Sequence, residues 1–145
     1  MAQENVNIQM RLISISEMDF KMSPGKVDDD VAPEALKIGF SNKFQPDVEN
    51  DIMSIIFGIR YELAGEVVLE SVYRFIFEVK DIAQFVEFNN NESITIKHIM
   101  PHLLNVAVGT MRGILVVKTA GTNFSKYPLP MIDVNILNTS LSTSK

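Results

Sequence analysis

The chain has 145 residues, of which 46% are hydrophobic and 21% charged, the balance of a globular domain with a sizeable core. Its formal net charge is -5 and no Lys/Arg cluster breaks the acidity, which argues against nucleic acid and anionic membrane surfaces, since both need a basic footprint. There are no cysteines, so a disulfide scaffold and a thiolate metal site are excluded and nothing points to an oxidising compartment.

Residues 1–7 are polar and lack the basic start and apolar run of a signal peptide. No stretch approaches about 18 consecutive apolar residues. A cytoplasmic protein without membrane insertion is the expectation.

Residues 5–22 alternate as a strand. Val6, Ile8, Met10 and Leu12 share one phase, Ile13 and Ile15 take the other, and Met18, Phe20 and Met22 return to the first. A phase slip inside one apolar run predicts a β-bulge. Residues 23–34 are loop by composition, and the acids at 28–30 read as a solvated run. Leu36, Ile38, Phe40 and Phe44, with polar residues between them, predict a half-buried strand. A turn over 46–51 leads to a third strand marked by Met53, Ile55, Phe57, Ile59, Tyr61 and Leu63. Ala64-Gly65-Glu66 turns the chain back into a fourth, marked by Val67, Leu69, Tyr73, Phe75, Phe77 and Val79.

The even positions of the last two strands should face water, yet Ile52, Ile56, Val68, Val72 and Ile76 are apolar. One helix covers one face of a sheet, so the other face is expected to meet something. A permanent subunit interface and a surface for transient partners are both open, on different patches if need be. Residues 80–94 form a polar connection with a short helical turn near Ile82, Ala83, Phe85 and Val86.

The one long segment of helical period follows. Leu103, Leu104, Ala107, Val108, Met111, Ile114 and Leu115 recur at steps of three and four. Pro101 fits the first turn, and Gly121 offers a stop. Gly109 and Gly113 each cost roughly 1 kcal/mol of helix stability, which suggests close approach of another backbone. Pro128 and Pro130 then bracket an extended piece, and the tail 138–145 is polar and expected to be disordered. The expectation is one α+β domain over 1–145: a four-stranded antiparallel β-meander packed on a long C-terminal helix.

No Gly-rich phosphate loop or nucleophile elbow is present. His98 and His102 are four apart, but no acid lies close in sequence to complete a metal site, so helix-entry polar residues are the favoured reading. No metal, cofactor or enzymatic activity is expected. The 8 methionines suit core filling or a surface that accepts varied partners.

With these elements in place the chain, from about Asn7 to Leu137, resembles the SecB family of protein-export chaperones. The resemblance rests on order and spacing. It is carried by the kinked opening strand ending near Phe20 and by the run Tyr73-Arg74-Phe75-Ile76-Phe77. It continues through the helix with Met111-Arg112-Gly113-Ile114, the Gly121 stop and the extended Tyr127-Pro128-Leu129-Pro130-Met131-Ile132-Asp133. It implies a four-stranded sheet with helices on one face, joined edge to edge in a dimer and through long helices into a homotetramer. Such proteins bind unfolded polypeptides without ATP and pass them to the translocase ATPase SecA through acids on the sheet.

Carried over, the translocase-binding candidates are Glu17, Val68 and Glu70. The client-groove candidates are Phe75, Phe77, Phe85, Phe88, Met111 and Leu115, and the oligomer-interface candidates are Gly109, Gly113, Ile56, Val72 and Ile76. Lys21 stands where another acid is expected, the acidic tail of the family is missing from 138–145, and the family's mid-helix proline is replaced. The implied function is an ATP-independent holdase, with export as its pathway. The alternatives are a SecB-like chaperone dedicated to one partner such as an antitoxin, and a structural or adaptor protein with no chaperone activity.

Overall fold

The structure, a computed structural model, describes residues 9–89 and 93–132. The start of the opening strand at Val6 and Ile8 and the tail 138–145 lie outside them. The fold is α+β. Strands β1 (Met10–Met22), β2 (Leu36–Asp47), β3 (Ile52–Leu63) and β4 (Glu66–Val79) form one antiparallel sheet. A hairpin of β5 (Val86–Phe88) and β6 (Ile94–Ile96) follows, then helix α1 (Met100–Lys118).

The sheet order is β1-β4-β3-β2. Strands β2 to β4 follow one another as a meander, but β1 pairs with β4 and not with β2. The connection over residues 23–35 therefore crosses the end of the sheet, a Greek-key return. Two 3-10 turns, Pro24–Lys26 and Pro33–Ala35, shape it. The β3–β4 turn is tight because Ala64 and Gly65 both take positive φ (52° and 79°), the left-handed pair that matches strand twist in two-residue hairpins.

Strand β1 carries two register shifts, between Leu12 and Ser14 and between Glu17 and Asp19. They fall at the two changes of apolar phase in the sequence. Directly opposed residues share a face, so Leu12 (opposite Phe77), Ile15 (Phe75), Glu17 (Tyr73), Phe20 (Ser71) and Met22 (Leu69) all lie on the helix side. Without the bulges Ile15 would turn to the open face.

The core sits between that face and α1. Met53, Ile55, Phe57 and Ile59 of β3 and Leu69, Phe75 and Phe77 of β4 meet Leu103, Leu104, Ala107, Val108, Met111 and Leu115 of α1, all buried. Helix α1 is long and apolar enough, by length and composition, to cross a membrane, although the sequence has no 18-residue apolar run. In this fold the buried side chains of its inner stripe are spent on the sheet. Pro101 occupies its first turn, where the missing N–H costs no helical bond. The helix ends at Lys118. Thr119 follows with its N–H and hydroxyl both donating to the Leu115 carbonyl, and Gly121 takes φ 81°.

Beyond α1 the chain is strapped back onto the sheet. Phe124 is buried edge-on to Tyr61. The Tyr61 hydroxyl donates to the Tyr127 carbonyl (2.8 Å), and the Tyr127 hydroxyl donates to the Val31 carbonyl (2.6 Å). Arg112 donates from Nε and Nη2 to the carbonyls of Leu129 and Pro130 (3.1 and 2.9 Å). The mid-helix arginine thus holds the Pro-Leu-Pro piece, and Leu129 is 3% exposed.

Candidate polypeptide-binding surface

Strand β1 is an edge strand of 13 residues. Its outer row of backbone N–H and C=O groups has no strand partner among the described residues. Two bulges on such an edge are a known guard against unwanted pairing. They also turn Ile13 and Met18 outward, each 47% exposed, beside Ile15 at 41%. An apolar, unpaired edge suits addition of an extended segment: backbone bonds supply affinity and alternate side chains find contacts.

The hairpin β5–β6 adds a second apolar piece at the same end of the sheet as the start of β1. Phe88 is 63% exposed, and Ile94 is also exposed. By composition residues 80–94 are a polar connection, and the structure forms this hairpin within and just beyond them. Three-residue strands give too short an alternation to register, and only Ile94 and Ile96 hinted at it. Its root is fixed by the 3-10 turn Ile82–Phe85 and by the Lys97 N–H, which donates to the Phe85 carbonyl (2.7 Å). Lys97 also pairs with Glu87, whose carboxyl it holds below the usual carboxylate range.

Of the six groove candidates only Phe88 is open. Phe75, Phe77, Phe85, Met111 and Leu115 are core side chains, each at most 3% exposed, because the odd positions of β4 and the inner stripe of α1 face each other. They offer no surface to a client in this state.

The three translocase candidates do not share a face. Glu17 lies on the helix side, opposite Tyr73. Its carboxylate accepts from the Tyr73 hydroxyl (2.7 Å) and pairs with Lys118 Nζ (2.7 Å). Lys118, first, and then Tyr73 hold the Glu17 carboxyl below its ordinary value. Burial, seconded by Glu17, pushes the Tyr73 phenol up to about 12. Lys118 also stands 4.9 Å over the Phe20 ring, so this cluster pins β1 to the end of α1. Glu70 is on the open face, 3.4 Å from Arg60 Nη2 and opposite Lys21. Val68 is the extra residue of a bulge between Tyr61 and Glu62, which turns it inward to 2% exposure.

The interface candidates are all at the surface. Ile56, Val72 and Ile76 form a half-buried apolar stripe on the open face, between Gly58 and the serines at 14, 16 and 54. Gly109 and Gly113 lie on the outer face of α1, and an added Cβ at either would meet nothing. With His102, Val106 and Val116 they make a stripe at alternating steps of four and three, the spacing of a helix–helix seam. Val116 is 56% exposed.

No protein-family model and no curated protein matches the chain. Among solved structures it is similar to a SecB-like chaperone of Mycobacterium tuberculosis, determined in complex with a ChAD peptide from the HigA1 antitoxin. The TM-score is 0.44 at 10% sequence identity, over 85% of this chain and 88% of that one.

Proposed function

We propose that this protein is a SecB-like, ATP-independent holdase that binds unfolded polypeptides. The carrying observation is the long edge of β1, which has no strand partner among the described residues, with Ile13, Ile15 and Met18 open on a well-packed scaffold. Monomeric surfaces rarely leave such an edge uncovered. Client segments would add to the edge and bury apolar side chains there and against Phe88, at about 25 cal/mol per Å². The domain would work in the cytoplasm as a homotetramer. The outer stripe of α1 and the Ile56–Val72–Ile76 stripe would supply helix and sheet contacts.

Protein export is the pathway the family resemblance favours. The arrangement of acids favours a second reading, a chaperone dedicated to one partner. Glu17 is engaged by Tyr73 and Lys118, and Lys21 sits opposite Glu70. Neither offers the free sheet acid that a SecA contact needs.

The deciding experiment is suppression of aggregation of a chemically unfolded protein, with oligomer mass measured on the same sample. Suppression at near-stoichiometric amounts without ATP is the expected result. A folded, stable oligomer that suppresses nothing rejects the holdase reading. Binding of SecA by that sample then separates export from a dedicated partner.

A further inference from the structure

The open face of the sheet, away from α1, carries a hollow of about 160 Å3 across β2, β3 and β4. Its floor is Gly39, Ser41 and Gly58, where neighbouring strands present nothing larger than a serine side chain. Packing fixes Gly58, since Ser41 Oγ lies 2.5 Å from where its Cβ would stand. Packing does not fix Gly39, whose Cβ would meet nothing within 4 Å. A glycine inside a strand weakens it and often marks a close approach from outside. The walls are Val72 and Arg60, whose Nη2 stands 3.4 Å from Glu70. A bare floor, an apolar wall and a guanidinium make a seat for one aromatic ring. Size agrees. An apolar cavity of roughly 150 Å3 holds a benzene, whereas sites for whole small molecules are about 300–1,000 Å3. The hollow fits a single side chain of a larger partner.

The charges beside it set the rest of that partner. Around the hollow itself they balance: Arg60 pairs with Glu70, and Lys37 stands opposite Glu62. One step along β3 from Gly58 on the same face is Ile56, about 7 Å away. Lys43 and Arg74 stand opposite Ile56 on its two sides. Both are exposed, and neither forms an ion pair among the described residues. Two uncompensated cations thus share one row of a chain whose net charge is -5. They were hidden in the sequence because 31 positions separate them. In an extended segment, residues two apart on one face are also about 7 Å apart. A carboxylate two residues from the ring therefore reaches this row.

We propose that the open face binds an acidic, extended segment of a partner protein. One aromatic side chain of that segment sits in the hollow between Gly39 and Gly58, and a carboxylate two residues away lies on Lys43 or Arg74. The proposal does not rest on the polypeptide-binding reading, which uses the β1 edge and Phe88. A second copy seated on the Ile56–Val72–Ile76 stripe would cover the same ground, so the two occupants exclude each other.

The probe is the end-capped peptide Asp-Ser-Phe-Ser-Asp, titrated into the full-length, isotope-labelled protein. Amide signals of Gly39, Gly58 and Val72 are expected to shift saturably, while those of Ile13, Met18 and Phe88 stay in place. Gly39→Val fills the hollow without entering the core and is expected to weaken binding about tenfold with Tm retained. A peptide with Ala for Phe, tested on the unaltered protein, is expected to lose as much. The pair Lys43→Gln and Arg74→Gln is expected to weaken binding about fivefold at low salt and to flatten its salt dependence. The absence of a saturable shift at millimolar peptide overturns the proposal, as do shifts confined to the β1 edge and Phe88. Equal affinity for the Phe and Ala peptides overturns it too. An oligomer that ignores the peptide and loses mass on Val72→Asp would assign this face to a second copy instead.

Discussion

Replacing Arg112 by Met removes the clasp on the C-terminal strap while keeping an unbranched stem and good helix propensity. The arginine makes two hydrogen bonds to backbone carbonyls, at 3.1 and 2.9 Å. Bonds from a charged donor contribute about 1.5–3 kcal/mol each when sheltered. Here one half-buried side chain makes both, and the Pro130 carbonyl can be hydrated once freed, so about 2 kcal/mol is the expected total. In a chain of this size that lowers Tm by about 4–8 °C if the strap unfolds with the rest. If it opens by itself, amide exchange in 124–131 speeds up about 30-fold instead, the same free energy read locally. Thermal unfolding followed by circular dichroism and residue-resolved hydrogen exchange on the same variant cover both cases. Arg112→Lys should fall between, since an ammonium cannot hold both carbonyls in one fork. An unchanged Tm together with unchanged exchange over 124–131 would refute the assignment of Arg112 as the clasp.

Gly58→Ala puts a Cβ 2.5 Å from Ser41 Oγ and is expected to cost about 1–2 kcal/mol in denaturant unfolding; adding Ser41→Ala should recover most of it, because the next contacts are ordinary ones at 3.6 and 3.8 Å, and a neutral Gly58→Ala would contradict this packing. The Tyr73 phenol, raised to about 12, contributes stability that is complete below pH 10 and is lost as pH rises through 12, so Tyr73→Phe should flatten the stability profile in that window. At the acid end the lowered Glu17 carboxyl contributes above the ordinary carboxylate range and loses its contribution as pH falls through the lowered value; Glu17→Gln should weaken the acid dependence of unfolding. Phe88→Ser should leave Tm unchanged, as the ring is 63% exposed, and weaken binding of an unfolded client about tenfold, the worth of burying most of a phenyl ring; unaltered affinity in a titration would remove Phe88 from the client surface.

Much of the fold was legible because its signals are local. The two phase changes around Ile13 and Met18 are the two bulges of β1. Ala64-Gly65 is the left-handed turn of the β3–β4 hairpin, and the apolar steps through Leu103 to Leu115 are the buried stripe of α1. The hairpin β5–β6 was missed for want of length. The candidate sites were less legible. A residue's parity says which face it takes only as long as no bulge intervenes, and Val68 is turned inward by one. Apolar character marks Phe75 and Phe88 alike, yet one is sealed by α1 and the other stands in solvent.

The sequence by itself determined the element types, the strand phases, the helix face and the classes of partner that charge and composition disfavour, since backbone period and side-chain chemistry are properties of neighbouring residues. Only the tertiary structure decided that β1 lies beside β4 and so leaves its other edge without a strand partner among the described residues. It also decided that Glu17 is held by Tyr73 and Lys118, and that Arg112 clasps the strap under which Leu129 is buried. Those outcomes join residues 17 to 101 positions apart in the chain. They follow from which surfaces pack together, a competition among whole elements that no local window of sequence contains.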